Sequence, residues 1–227
     1  MGCFQKIVSK LIIGCILWCA PYYSYSQKLE PAAYAKLNTF IHSGFEGNTF
    51  SDLSLGLSLF STHWISPKIG FKAAIGMPED NANFSEGTIE ERIKTQYTGN
   101  LLTLGAKIRL TKPNDVWLYV WPEYSFGALN FTSSYYKVGD SPRRQALQEQ
   151  VKLTENHSWL DLTVGAEFYF DSNERFLTSV YLVYTLMDIR SGFENLAFES
   201  TSMRPTSKMN SSIGFGVSIE YCFCKKQ

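Results

Sequence analysis

The chain has 227 residues, 21 basic and 21 acidic side chains, and an aromatic content of 15% with 13 tyrosines and 16 phenylalanines. A formal net charge of zero argues against a nucleic-acid partner. The aromatic weight, with no later segment long enough to cross a membrane as a helix, favours an all-β protein.

The first segment carries Lys6 and Lys10, an apolar run from Leu11 to Ala20, and the small residues Ser24 and Ser26 before Gln27. This order is that of a secretory signal, with cleavage expected after Ser26. The run falls well short of the roughly 20 apolar residues a spanning helix needs. A lipoprotein box at Ile12-Ile13-Gly14-Cys15 would be followed by an oily segment, and a myristoylation start at Met1-Gly2 meets Lys6 where Ser or Thr is required. Residues 27–227 are then the mature domain. It carries 21 − 2 = 19 basic and 21 acidic groups, a net of −2. Cys3, Cys15 and Cys19 leave with the signal, so Cys222 and Cys224 cannot make a disulfide scaffold. Two apart on a strand, they share a face and are read as free or loosely paired thiols, with a strained disulfide or a metal fragment as alternatives.

From there the dominant pattern is alternation with period two, the mark of strands with two unlike faces. Asp52 to Leu59 puts four leucines on one side, and Ser212 to Cys224 puts Ile213, Phe215, Val217, Ile219, Tyr221 and Phe223 on one side. The same rule predicts eight strands at 35–46, 50–61, 64–76, 94–111, 116–134, 155–171, 175–190 and 208–224. Their lengths suit the about 9 to 11 residues of a transmembrane strand. Tight turns are expected near Thr62-His63, Lys112 to Asp115 and Asp171 to Glu174. Long connections fall at 77–93, 135–154 and 191–207, with a shorter one at Gly47 to Thr49. Short turns at one end and long loops at the other describe an outer-membrane barrel. Within the loop after the fifth strand, Ser141 and Pro142 predict a short helix over Arg143 to Val151.

The two faces differ in charge. Leu102 to Leu110, Leu160 to Phe170 and Val180 to Leu186 present uncharged alternating residues, while Lys68, Lys72, Lys107, Arg109, Glu123, Asp161, Glu167 and Glu220 share the opposite face with several glycines. The prediction is an inverted, closed antiparallel up-and-down transmembrane β-barrel, apolar outside, with these eight side chains as a salt-bridged interior plug. A soluble sandwich would reverse the faces. Trp64, Trp117, Trp121 and Trp159 fall near predicted strand ends and are assigned to interfacial aromatic girdles. Pro67 and Pro122 should mark a bulge, a rim or a register error, because proline cannot donate to a ladder.

No chemistry-bearing motif stands out. His42, His63 and His157 sit in no recognised constellation, and adjacent His157 and Ser158 point to opposite faces of a strand. No catalytic, cofactor or metal site is assigned. The acidic stretch Pro78-Glu79-Asp80 with Glu86, Glu90 and Glu91 reads as a solvated loop; attraction of calcium or of ions bridging lipopolysaccharide is the alternative.

The segment Ser24-Tyr25-Ser26-Gln27, the Gly-x-Gly strand at Gly214-Phe215-Gly216 and the long and short loops resemble the small outer-membrane β-barrel proteins of Bacteroidota, including PorT-like barrels. One departure is that the chain runs past Phe223 to Cys224-Lys225-Lys226-Gln227, where many such barrels end on an aromatic residue. The expected role is non-enzymatic: binding of a ligand or envelope partner through extracellular loops, or support of a secretion or surface assembly. Outer-membrane lipid and lipopolysaccharide are its surroundings. The alternatives are a lipid-modifying enzyme with a site at the outer rim, or a narrow pore.

Overall fold

A computed structural model describes residues 29–42, 50–61, 64–85, 88–111, 116–138, 145–171, 174–207 and 211–223. The predicted signal, residues 1–26, lies outside these, as do His63, Glu86, Ser141, Pro142 and Cys224.

Among the described residues nine strands form: β1 (Leu29–His42), β2 (Phe50–Ser61), β3 (Ile65–Gly76), β4 (Glu79–Ser85), β5 (Thr88–Arg109), β6 (Trp117–Val138), β7 (Gln145–Tyr169), β8 (Phe176–Thr185) and β9 (Ser212–Cys222). Eight of them close a ring in the order β3-β2-β1-β9-β8-β7-β6-β5, sealed by the pairing of β3 with β5, and every pairing is antiparallel. The ninth, β4, pairs with the part of β5 that rises beyond β3.

The register gives the stagger. From Leu37 the partners run through Leu53, Ala73, Asn100 and Ala128 to Asn156 of β7. In the other direction they run through Val217 and Val180 to Ala166. The mismatch of 166 − 156 = 10 residues is the shear, which obliges the strands to tilt about the barrel axis.

Alternation decides the two faces, and they are inverted relative to a water-soluble protein. Each stave exposes aliphatic or aromatic side chains outward: Leu37, Leu57, Phe71, Leu104, Leu118, Val164, Leu182 and Phe215, one from each of the eight, are all at least 45% exposed. Water solvates such a continuous belt poorly, and hydrocarbon solvates it well. The interior faces hold ionised and aromatic groups, so the sandwich alternative is overturned. Inward glycines make room for large rings. A Cβ at Gly70 would collide with the Tyr34 hydroxyl, and one at Gly216 would meet the Tyr181 ring.

The prolines fit this register. Pro67 lies just past Ser58↔Lys68, the last β2–β3 pair, at the short-turn rim. Pro122 stands where the β5–β6 ladder breaks between Gly105↔Glu123 and Ile108↔Val120. At the same rim the Asp171 carboxylate accepts Arg175 N–H (2.9 Å) and Phe176 N–H (2.7 Å), tying the β7–β8 turn.

Four expectations need correction at the long-loop end. The helix predicted over Arg143 to Val151 is β-strand from Gln145 onward, because tertiary pairing with Lys137 and Val138 overrides local helix propensity. Of the acidic stretch, Glu79 to Ser85 is β4 and Thr88 to Glu91 begins its antiparallel partner β5; there Asp80 forms a bidentate pair with Arg92 and Glu91 accepts the Tyr135 hydroxyl at 2.6 Å. The strand predicted over 175–190 stops at Thr185, and the segment after it forms α1 (Arg190–Glu194). The strand predicted from 155 begins ten residues earlier, at Gln145. As a result β5, β6 and β7 overtop their neighbours and, with β4, raise a half-wall above one side of the ring.

Candidate functional site

The barrel interior is built in tiers. At the short-turn end, Ala32, Trp117, Leu177 and Cys222 pack together with Tyr169 against them, an apolar floor. Cys222 is buried and free.

Above the floor lies an ionic network placed by inward parity on seven staves. Arg109 Nε donates to Glu167 Oε1 (2.5 Å) and Lys107 Nζ to Glu167 Oε2 (2.6 Å). Glu220 binds Lys68 (2.7 Å) and Lys107 (3.4 Å) and accepts the Ser58 hydroxyl. Higher up, Lys72 is the hub: its Nζ is 2.5 Å from Asp161, 2.8 Å from Glu123 and 4.0 Å from Asp52. The geometry thus brings all eight charged residues singled out from the sequence into one chamber. It adds two more, Lys36, 3.4 Å from Glu123, and Asp52, which accepts Asn38 Nδ2 at 2.8 Å. All ten are at most 4% exposed, and five of each sign balance. Balance matters because an unpaired ion in so dry a site is strongly destabilising.

The tryptophans correct the girdle assignment. Trp64 is on the outer rim, 39% exposed, but Trp117, Trp121 and Trp159 face inward at 7%, 0% and 1%. Each lies against a cation. Trp121 is 4.2 Å from Lys36 Nζ, 4.9 Å from Lys68 and 5.6 Å from Lys107, while Trp159 lies beneath Lys72 (5.7 Å) and Trp117 beneath Arg109 (5.3 Å). The lower cluster has three cations for two carboxylates and the upper two for three. The Trp121 ring, attractive to cations over its face, joins them. Outward aromatics at the short-turn rim are Trp64, Phe170, Phe176 and Phe223.

The third tier is the mouth. Phe40 and Phe50 stack at 4.0 Å, with Tyr97, Leu101, Leu129 and Phe131 around them. The segment from Leu186 to Ser207, here called the strap, crosses over this layer. It drops Met187, Ile189, Phe193 and Leu196 into it, all at most 2% exposed, with Phe193 edge-on to Phe131 at 5.6 Å. Sequence reasoning missed the strap as structure, though its apolar Met187, Ile189, Phe193 and Leu196 carry a signal of burial.

For catalysis the geometry offers little. His157 Nε2 stands 3.4 Å from Glu155 Oε2, and the Ser191 hydroxyl donates to that same oxygen at 3.5 Å, so the carboxylate separates the two groups. Among the described residues no cluster of three or more His, Cys, Asp or Glu side chains could hold a metal ion.

No family model matches the chain, and no curated protein does. Solved structures that resemble it are outer-membrane proteins. The neisserial surface protein NspA aligns with a TM-score of 0.41 at 10% identity, over 87% of this chain and 99% of that one. The N-terminal β-barrel domain of OprF from Pseudomonas aeruginosa gives 0.36 at 10%, over 86% and 100%. The Yersinia pestis attachment invasion locus protein Ail gives 0.37 at 10%, over 86% and 96%. At these scores and identities the likeness carries no role across to this chain.

Proposed function

We propose that the protein is an integral outer-membrane barrel that neither conducts nor catalyses, and that it acts through the half-wall and strap at its long-loop end by binding a ligand or envelope partner there. The reading includes export by the signal at residues 1–26, a mature barrel over 27–227, and kinship with the PorT-like barrels of Bacteroidota, where accessory service to a secretion or surface assembly is the allied role. The observation that carries it is the closed interior: a charge-balanced network lies between an apolar floor at Trp117 and an apolar mouth at Phe40, Phe50 and Phe193. Ions crossing such a barrel would have to break pairs such as Lys72–Asp161 and leave buried charges unmatched.

The ten interior charges, the predicted eight with Lys36 and Asp52, then act as a plug that holds the wall in shape, and the belt of outward leucines and phenylalanines takes lipid as its solvent. The test is conductance of the purified protein in planar bilayers, together with heat-modifiable migration in detergent. The expected result is a heat-modifiable species with no porin-like current. Current at porin level, or a monomer folded in plain buffer without amphiphile, would sink the reading. Lipid mass spectrometry of a deletion strain should find lipid A unchanged; a changed lipid A would make the barrel an enzyme.

A further inference from the structure

The strap is held from two sides. On β7, the Glu149 carboxylate accepts Glu199 N–H (3.0 Å), Ser200 N–H (2.9 Å) and the Ser200 hydroxyl, and the Glu155 carboxylate accepts Asn195 Nδ2 (2.6 Å) and the Ser191 hydroxyl (3.5 Å). On β4, Asn81 and Thr206 exchange hydrogen bonds and Ser207 donates to Glu79 at 2.7 Å. Every donor is neutral. Among the described residues no lysine or arginine forms an ion pair with Glu149 or Glu155, and His157 Nε2 lies 3.4 Å from Glu155 Oε2.

Beneath this frame, Phe193 and Leu196 fill a well walled by Phe40, Phe50, Tyr97 and Phe131. The His157 side chain is 8% exposed, lies 5.6 Å from the Phe131 ring, and makes no hydrogen bond through Nε2. The mouth therefore combines an aromatic well, a buried imidazole whose Nε2 faces the Glu155 carboxylate at 3.4 Å, and two rim carboxylates that form no ion pair with lysine or arginine among the described residues. The strap supplies the apolar filling and only neutral donors.

We propose that the strap is a lid lying in a ligand cup of its own barrel, and that the cup takes an aromatic or aliphatic body carrying an ammonium or guanidinium group. Such a ligand would replace Phe193 in the well and give Glu149 or Glu155 a charged donor, whose hydrogen bonds are about twice as strong as neutral ones. Aromatic walls add attraction for the cation. The tethered strap competes at an effective concentration on the order of millimolar, so a small probe succeeds only through that added charge. The inference rests on the reading that the barrel works through its extracellular cap.

The experiment is hydrogen exchange by mass spectrometry on the full protein in nanodiscs, with tryptamine against indole-3-propionate, two probes with one indole body and opposite charge. Tryptamine should speed exchange over 186–207 by about tenfold, the scale of one charge-assisted hydrogen bond, in a saturable way and without change in β9. Indole-3-propionate should not. The double variant Glu149→Gln with Glu155→Gln should free the strap by itself and erase the difference between the probes. Equal action of the two indoles, action of neither, or strap amides as protected as those of β9 in both proteins would overturn the proposal. Conductance of the same wild-type sample separates the two failures: current overturns the closed-barrel reading, whereas a silent barrel with an unresponsive strap overturns the lid alone.

Discussion

The ionic middle of the barrel and its apolar mouth are both buried, yet they are built from different kinds of chain. Every charged residue of the middle sits on a stave, and its partner sits on another stave far away in sequence, as Lys72 does with Asp161 and Lys107 with Glu220. These pairs cannot part unless the ring opens. The mouth is filled by the strap, a segment that leaves β8 and lies down from above, pinned at its edges by hydrogen bonds that reach solvent. Burial alone does not say whether a region is permanent; what must break to release it does.

The sharpest way to break this contrast is Lys72→Met. It leaves Asp52, Glu123 and Asp161 with only Lys36 nearby, and stripping one partner from a buried pair costs about 3 to 5 kcal/mol. Unfolding in detergent, followed by heat-modifiable migration, should move by that much; a loss under about 1 kcal/mol would mean that water reaches the network. Next comes Lys107→Met. Arg109 still serves Glu167 and Lys68 still serves Glu220, so the loss should be smaller, about 1 to 3 kcal/mol by the scale of a lost charged hydrogen bond.

Phe193→Ala probes the other tier. A buried phenylalanine truncated to alanine in a cooperative core loses about 3 to 5 kcal/mol. If the strap releases apart from the ring, the barrel melt should shift by less than about 1 kcal/mol while protease cleavage within 186–207 rises steeply. A full-sized shift in the barrel melt would erase the distinction between the tiers.

The smallest effect is one of pH. Hydrogen bonds from Ser200 and from the Glu199 and Ser200 backbone hold the Glu149 carboxyl below its usual range. A carboxyl lowered in the folded protein favours the closed strap above its ordinary value, about 4.3, and that contribution is lost as pH falls through the lower folded value. Strap exchange, corrected for the intrinsic pH dependence of amides, should therefore rise only below about pH 4, and Glu149→Gln should flatten the profile. A rise centred near neutrality would mean that a group other than Glu149 controls the strap.

Much of the interior was written in parity. Lys107, Arg109, Glu123, Asp161 and Glu167 all fall on the face opposite the aliphatic run of their strand, and that is where they lie. The same parity would have placed Trp121 two residues before Glu123 and Trp159 two before Asp161, hence inside. Nearness to a strand end does not fix the face a side chain takes, whereas parity does. Asp52 and Lys36 carried the same mark, each in phase with inward residues of its strand. The strap and the half-wall were less legible, because neither follows from alternation. Arg143 to Val151 has good helix formers, and only the pairing of Glu149 and Leu147 with Tyr135 and Tyr136 makes this region a strand.

The amino-acid sequence by itself determined which side of each strand is oily and which is ionised, since the period of two is a property of the extended backbone and needs no partner. The tertiary structure alone decided how the ring closes, with a stagger of ten residues (166 − 156) that sets which cation meets which carboxylate. It also decided that the segment after β8 folds back to fill the mouth. Both depend on contacts between residues far apart in the chain, whose loop-closure cost is recovered only once the barrel has formed.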